Sequence, residues 1–499
     1  MKQFIVLFIT LAALIAALLI GCTDSAPTAP ATNLGNSTIT KYVAIGNSLT
    51  AGMQSNGLYK SAQLYSFPNL IAQQLAKAGA NIGTFEQPLF TDPGVGSLYA
   101  DRLVIRGWSG ATPDIGQAGE TPINVPENAT LVRPYDNLGI PGITIAGFMD
   151  TTGTYQRPPL GNNAILRWTS KPELGKSVLR QVATLKAMGQ TPDLVTFWLG
   201  ANDVLGFAVS GGTNPNAPTN PATFESLYKK ALATLRDTLP QAKIVVGNIP
   251  NVTAVPFFTT ANALIAPHIP APYYLRYQKH GTPGVSFDST KLTEASAPFI
   301  TLMGKEYAAL LGQPTGQFWR DAAALKGTTI AALYPTLVGA GIDTTQPFGF
   351  DPRNPWPDAL ILDADEIATA TTAVNNFNSI IVAAANTEAA LVVDFNAFFD
   401  NVKAKGVIIG GEKYTADFIT GNMFSLDGVH PSDRGYGIVA NEYIKTINAY
   451  FNMNIPLVDV NALPGLPAQL HKGGNGKSDV TFQSGAFNSL DLLFRPSIQ

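Results

Sequence analysis

Cysteine is nearly absent from this sequence, since Cys22 is the only one in 499 residues. A disulfide within the chain is therefore excluded, as is a zinc site built on paired cysteines. Beyond the N-terminus a thiol nucleophile is excluded as well, so any chemistry of the folded part must use other side chains.

Charged residues and histidines are also scarce. Only 13% of the residues are charged, the formal net charge is −3, and there are four histidines. A surface without a basic excess argues against nucleic acid as a partner. The motif Gly-x-Ser-x-Gly does not occur either, so the sequence gives no support to the nucleophile turn of standard α/β hydrolases.

The N-terminus carries the longest apolar run, from Phe4 to Ile20, between Lys2 and Gly21-Cys22. A basic start, an apolar core and a small residue before the cleavage point are typical of a signal peptide. With cysteine next, residues 1–21 resemble the signal peptide of a bacterial lipoprotein, which implies lipid on Cys22. The alternative is an uncleaved membrane anchor, although the run is shorter than the roughly 20 residues that span a bilayer.

This N-terminus predicts where the protein resides. We expect it in the bacterial cell envelope, bound to a membrane through the lipid on Cys22, and at the outer membrane or cell surface rather than the inner membrane. Residues 22–38, rich in Ala, Pro, Ser, Thr and Asn, are predicted to form a flexible tether.

The rest of the sequence alternates between strand and helix patterns. Short apolar runs predict buried parallel strands at 42–45, 194–199, 244–246 and 391–393. Helical periodicity is found after Pro68, from Phe224 to Leu239, and from Ile438 to Ile447 behind Ser432 as an N-cap. This alternation predicts an α/β fold with a parallel sheet.

Two long stretches interrupt the pattern. Residues 92–134 are rich in Gly, Pro and Asn, and residues 256–358 contain Pro-rich and aromatic pieces. Loops of this length usually have a function or a structure of their own. We expect both to be insertions at the rim of an active site, within one domain of residues 39–453. The tail, residues 454–499, is expected to wrap around this domain or to be partly disordered.

Four short motifs are the candidates for chemistry. GNS ends at Ser48, NLGIPG ends at Gly142, GAND contains Asn202, and DGVH runs from Asp427 to His430. GNS and GAND directly follow predicted strands, and the carboxyl ends of parallel strands are where open α/β sheets bind ligands.

These residue types fit acyl transfer. A serine hydroxyl needs a base to remove its proton, which His430 can do for Ser48, and Asp427 can orient the imidazole and stabilise its cation. Attack on an ester carbonyl places negative charge on its oxygen. The backbone N–H groups of Ser48 and Gly142 and the side-chain amide of Asn202 would stabilise that charge.

Taken together, the four motifs resemble the SGNH hydrolases, also called GDSL-type hydrolases, over about residues 42–450. The resemblance implies a flavodoxin-like three-layer α/β/α sandwich, a catalytic triad of Ser48, Asp427 and His430, and oxyanion donors at Ser48, Gly142 and Asn202. It also implies that no metal or cofactor is needed. Asn47 stands where the family usually has Asp, at a position that supports the loop.

The resemblance implies a serine esterase or lipase that forms an acyl-enzyme on Ser48. Its substrate would be a lipid ester, a short acyl ester or an acetylated sugar. Two alternatives stay open: an O-acetyl esterase acting on polysaccharide, and a surface binding lipoprotein that kept the fold and lost the chemistry. A mobile apolar lid would favour lipid esters, and an open aromatic groove would favour sugars.

One acidic segment could bind a cation. Asp363, Asp365 and Glu366 lie close together in the sequence. Acids are stabilised at helix N-termini, and an Ala-rich helical segment follows, so a helix start is the preferred interpretation. His268 and His280 lack the spacing of metal ligands, and we expect no metal site.

Overall fold

The computed structural model describes residues 32–96, 102–109, 112–151, 177–287, 291–325, 327–466 and 481–482. The predicted signal peptide, Cys22 and most of the predicted tether lie outside the described residues, as does most of the C-terminal tail.

A five-stranded parallel sheet forms the centre of the molecule. Its strands are β1 (Tyr42–Gly46), β2 (Asn137–Gly139), β3 (Leu194–Trp198), β4 (Lys243–Gly247) and β5 (Leu391–Val393). They lie in the order 2-1-3-4-5, and all neighbouring strands are parallel. This is the strand order of flavodoxin-like folds, so the predicted fold class is confirmed.

Helices cover both faces of the sheet. The longer ones are α1 (Phe67–Lys77), α2 (Val178–Ala187), α3 (Pro221–Thr238), α4 (Ala364–Thr387), α5 (Phe395–Lys405) and α6 (Asp433–Phe451). Side chains of β1 alternate between two hydrophobic clusters, as the period of a strand requires. Val43 and Ile45 belong to the cluster that includes α2, α3 and α4, whereas Tyr42 and Ala44 belong to the one that includes α1, α5 and α6.

The predicted strands and helices are found, with one strand added. Strand β2 was missed because it has three residues, of which only Leu138 is apolar, and because Asn and Gly are poor strand formers. It is the edge strand and pairs with β1 alone. The predicted helix start at Asp363 is confirmed, since Asp363 caps α4.

Both predicted insertions contain regular structure. Within 92–134, strands Leu103–Ser109 and Thr112–Gln117 form an antiparallel hairpin. Within 256–358 a second hairpin is formed by strands Leu275–Lys279 and Thr282–Phe287. The helical segments there are Pro256–Thr259, Ala261–Ile265, Ala266–His268, Leu302–Leu310, Gln317–Leu325 and Ile330–Gly339. Phe257, Leu302 and Trp356 join the same hydrophobic cluster as α3, so the longer insertion extends the core of the sandwich.

The remaining elements are short. The helical ones are Ser48–Ala51, Lys60–Gln63, Ile145–Met149, Asn202–Val209, Val252–Ala254, Asp358–Leu360 and Val460–Ala462. The extended ones are Gly57–Leu58, Val95–Gly96, Phe299–Ile300, Ile361–Leu362, Val407–Ile409, Glu412–Tyr414 and Thr481–Phe482. Among the helices of the described residues, none has the length and apolar character needed to cross a membrane.

The two ends of the described domain meet. Asn33 and Asn454 exchange two backbone hydrogen bonds of 3.2 and 2.9 Å, and Leu34 is buried. After the last helix, Val458 is held against α6 by the side chain of Asn441, whose amide donates to the Val458 carbonyl at 3.0 Å. The end of the predicted tether and the start of the predicted tail therefore pack on the domain.

Candidate active site

Ser48 lies in a tight turn at the carboxyl end of β1. It is the first residue of the helix Ser48–Ala51, and the side chain of Asn47 caps this helix by accepting a hydrogen bond from the Leu49 N–H at 3.0 Å. Gly46 leaves no space for a side chain, since an added Cβ would lie 2.7 Å from the Trp198 carbonyl oxygen. The backbone before Ser48 is thus packed directly against the end of β3.

Asn47 supports this turn through its side-chain oxygen, which acts as an acceptor. The aspartate that the SGNH family usually has at this position offers the same acceptor. The departure from the family motif therefore leaves the hydrogen bond of the turn intact.

His430 and Asp427 form a buried pair in the loop before α6. The His430 Nδ1 lies 2.8 Å from the Asp427 Oδ2, and both residues are at most 1% exposed. An ionised carboxylate can only accept hydrogen bonds, so Nδ1 carries a proton, and in the neutral form of the ring Nε2 has the free lone pair. This is the tautomer that a general base requires.

The carboxylate of Asp427 is fixed by four further hydrogen bonds. Oδ1 accepts from the Val429 and His430 N–H groups at 2.9 and 2.8 Å and from the Ser425 hydroxyl at 3.2 Å. Oδ2 also accepts from the Asn56 N–H at 2.8 Å. Burial alone would raise the pKa of Asp427. The charge and hydrogen bonds of His430 and the N–H donors outweigh burial and hold that pKa below its usual range, so the group is ionised at neutral pH.

The predicted oxyanion donors lie in two adjoining loops. Asn202 begins a helix just after β3, and its Nδ2 donates to the Ile143 carbonyl at 2.9 Å, which leaves its second amide hydrogen for a ligand. Gly142 has a φ of +75° in the turn after β2, a conformation that favours glycine. Within the described residues, the N–H groups of Ser48 and Gly142 make no hydrogen bond, so both can bind an oxyanion.

Ser48, Asn202 and His430 line one open cleft with an empty volume of about 720 Å³. Its walls are mainly apolar, with side chains that include Leu205, Val252, Val255, Phe399 and Phe424. Gly142 does not line this cleft and reaches it only through the contact of its loop with Asn202.

The serine and the histidine face the same cleft. Among the hydrogen bonds of the described residues, none joins the Ser48 hydroxyl to His430. Such bonds are often long in ligand-free sites and tighten when substrate binds.

Several supporting residues were not predicted. Asn56, which donates to Asp427, has a φ of +64°, and its Asn-Gly dipeptide predicts a turn without indicating the contact. On the opposite side of the same loop, the Phe257 N–H donates to the Gly428 carbonyl at 3.0 Å. The loop of Asp427 and His430 is therefore held by the start of the long insertion and by the loop at Asn56.

Asp203 is a further supporting residue that was not predicted, because its motif indicated only a turn. Its carboxyl accepts from the Ile145 N–H at 2.9 Å and from the Thr219 hydroxyl at 2.8 Å. Burial raises the pKa of Asp203 to about 7. Together, Asn202 and Asp203 fasten the loop that carries Gly142 to the end of β3.

Comparison with known protein families gives a match over most of the chain. The sequence profile of the GDSL-like lipase/acylhydrolase family matches residues 42–443. No curated protein matches the chain significantly.

Among solved structures, an alpha/beta hydrolase enzyme from the metagenome of Lake Arreo is similar, with 11% identity, 83% of this chain and 96% of that chain covered, and a TM-score of 0.31. A GDSL-like lipase from Parabacteroides merdae has 12% identity, coverage of 83% and 98%, and a TM-score of 0.31. The lipase/acylhydrolase from Enterococcus faecalis has 11% identity, coverage of 84% and 100%, and a TM-score of 0.30.

The family match begins at the first residue of β1 and ends within α6. It thus spans the whole central sheet and every residue named here as lining the cleft. The chain belongs to the GDSL-like lipase/acylhydrolase family and is a hydrolase of that family.

Proposed function

We propose that this protein is a serine ester hydrolase that cleaves carboxylic esters with an apolar acyl group through an acyl-enzyme on Ser48. The observation that carries the proposal is the buried Asp427–His430 pair, 2.8 Å apart, facing the same apolar cleft as Ser48 and Asn202.

The proposed reaction has two halves. In the first, the Ser48 Oγ attacks the ester carbonyl while the His430 Nε2 takes the hydroxyl proton, and that proton then passes to the leaving alcohol. In the second, His430 removes a proton from water, the resulting hydroxide attacks the acyl-enzyme, and the proton returns to Ser48 as the acid leaves. Asp427, held ionised, stabilises the imidazolium in both halves.

The oxyanion of each tetrahedral intermediate would be bound by three donors. These are the backbone N–H groups of Ser48 and Gly142 and the free amide hydrogen of Asn202. Donors already fixed in place avoid the cost of reorganisation during the reaction.

The apolar walls of the cleft favour an acyl chain over an acetyl group as the bound part of the substrate. Each buried methylene stabilises the complex by about 0.8 kcal/mol. Side chains such as Phe399, Phe424 and Val252 offer the surface for that burial, so lipid or short acyl esters are the proposed substrate class.

The test uses the chain without residues 1–22, assayed on p-nitrophenyl acetate, butyrate and palmitate. The matched variants are Ser48→Ala and Ser379→Ala, because Ser379 is an exposed serine on α4. Ser48→Ala should lose several orders of magnitude of rate, and Ser379→Ala should keep it.

Each outcome of this assay is informative. A rate that rises from acetate to butyrate or palmitate supports the apolar acyl site. Hydrolysis that survives in Ser48→Ala would show that another group is the nucleophile. Activity on acetate alone, or on acetylated polysaccharide alone, would indicate an O-acetyl esterase. No hydrolysis of any ester would favour a binding lipoprotein.

We further propose that lipid on Cys22 anchors this enzyme in the bacterial cell envelope. The proposal is supported by the apolar run that ends at Gly21-Cys22. The full chain should incorporate labelled palmitate, fractionate with membranes and be released by detergent. Cys22→Ser should not incorporate labelled palmitate. Equal labelling of both would disprove the anchor.

A further inference from the structure

Asp363 and Glu366 are buried carboxylates at the N-terminus of α4, and each uses only one of its two oxygens in the helix cap. Asp363 caps the helix through Oδ1, which accepts from the Asp365 and Glu366 N–H groups at 2.9 and 3.1 Å. Glu366 returns the contact through Oε2, which accepts from the Asp363 N–H at 2.7 Å. This capping box explains one oxygen of each carboxylate and leaves the other oxygen of each unexplained.

The two remaining oxygens point to a common space. Glu366 is 1% exposed, yet its Oε1 has no hydrogen-bond partner. The Oδ2 of Asp363, which is 3% exposed, makes an ion pair with the Lys279 ammonium at 3.1 Å. The His280 Nδ1 lies 3.5 Å from the Glu366 Oε1. One ligand atom from each of His280, Asp363 and Glu366 lies within 4.8 Å of the others.

The groups at this space come from the hairpin of the long insertion and from the start of α4. His280 lies at the tip of the hairpin in the long insertion, between strands Leu275–Lys279 and Thr282–Phe287. Gly212 approaches Glu366 from another side, and an added Cβ there would lie 2.5 Å from the Glu366 Oε1. A buried, unsatisfied carboxylate oxygen beside an imidazole nitrogen is costly unless a proton or a cation binds there.

The charge around this space is not balanced by the protein. Asp358 is also buried, and Lys279 is shared between Asp363 and Asp365. Lys279 thus pairs with two of the four carboxylates, and within the described residues Asp358 and Glu366 have no lysine or arginine partner.

We propose that His280, Asp363 and Glu366 form a binding site for a divalent cation, outside the catalytic cleft. Imidazole nitrogen combined with carboxylate oxygen suits Zn²⁺ and similar ions, which need ligand distances of about 2.0–2.2 Å. The ion joins the hairpin of the insertion to the start of α4. This differs from the sequence-based expectation, which found no ligand spacing because His280 is far from Asp363 in the chain.

The test is equilibrium dialysis of the full chain, purified in detergent and freed of metal with a chelator, against Zn²⁺. We expect one ion per chain. His280→Asn, chosen because Asn tolerates the left-handed backbone at this position (φ +50°), and Glu366→Gln, which keeps an acceptor for the capping box, should each bind at least tenfold more weakly. His268→Asn is the matched histidine control and should bind as the full chain does.

Two further readouts make the result decisive. At one Zn²⁺ concentration, the ion should raise the Tm of the full chain more than that of His280→Asn. Lys279→Met should bind Zn²⁺ more tightly, because the competing ammonium is removed. The proposal is overturned if the full chain binds no Zn²⁺, or if folded His280→Asn binds it as tightly as the full chain.

Discussion

At the scale of one residue, Asp427 is the proposed orienting group, and several hydrogen bonds fix its carboxylate. Its two oxygens accept five hydrogen bonds, of which only one comes from the His430 ring. The sequence motif placed Asp427 three residues before His430, which predicted their pairing. It did not predict the bond from Asn56, because that donor lies 371 positions away in the chain.

Substitution of Asp427 by Asn should therefore damage catalysis much more than folding. An amide at this position can donate to the His430 Nδ1 and stabilise the wrong tautomer, which in a serine-protease triad lowers kcat by about 10⁴-fold. We expect a loss of similar order, measured as kcat on p-nitrophenyl butyrate.

The matched contrast is Asn47→Asp, which restores the usual residue of the family. Since the oxygen that accepts from the Leu49 N–H is retained, this variant should keep kcat within a few fold. A drop of less than tenfold in Asp427→Asn would mean that Asp427 does not control the tautomer of His430.

At the scale of single elements, the cap of α6 lies directly after the loop of Asp427 and His430. The Ser432 hydroxyl accepts from the Gly435 N–H at 3.1 Å and donates to the Asn422 carbonyl at 2.6 Å. Ser432→Ala should lower the free energy of unfolding by about 1 kcal/mol. It should also lower kcat, because His430 lies two residues before the cap.

Urea unfolding and steady-state kinetics of Ser432→Ala would measure both effects. Ser177→Ala is a suitable control, because Ser177 caps α2 on the other face of the sheet. It should cost comparable stability with no change in kcat. Equal kinetic effects in both variants would contradict a specific link between the α6 cap and His430.

The elements also show which sequence signals were sufficient to predict a strand or a helix. The strands β1, β3 and β4 were predictable because they are nearly continuous apolar runs, and α4 because its acidic start is followed by an Ala-rich helical segment. The hairpin of Leu103–Ser109 and Thr112–Gln117 was not, since its Gly and Pro residues hide the alternation of a strand.

At the scale of the whole molecule, three carboxyls, two buried and one partly buried, predict how stability depends on pH. Burial raises the pKa of Asp203 and of Asp433 to about 7, and burial with neighbouring carboxylates raises that of Glu366 to about 8. Between the ordinary carboxyl pKa of about 4 and these values, the folded state binds more protons than the unfolded state. These groups therefore make the free energy of unfolding fall as pH rises from about 4 to about 8.

Urea unfolding at pH 5, 7 and 9, with chelator present, would measure this trend. The double variant Asp203→Asn/Asp433→Asn should show a weaker decline than the unmodified chain. A stability that rises steadily from pH 5 to pH 9, with no difference between the two proteins, would contradict the raised pKa values.

The strand order and the main residues of the candidate site could be predicted from the sequence, whereas the docking of the long insertion could not. The strand order follows from the flavodoxin-like resemblance, and the motifs brought Ser48, Asn202 and His430 to one cleft. The sequence predicted that the long insertion lies at the rim of the site, but it did not predict the strands and helices within it. Its docking depends on contacts such as that of the Phe257 N–H with the Gly428 carbonyl, which join residues distant in the chain.

The bond between Phe257 and Gly428 limits how this enzyme can be re-engineered. A shortened version with residues 256–358 removed would keep the five strands, yet the loop between Asp427 and His430 would lose one of its two supports. The same holds for a graft of this insertion onto a relative. The insertion and the loop of Asp427 and His430 therefore have to be exchanged together.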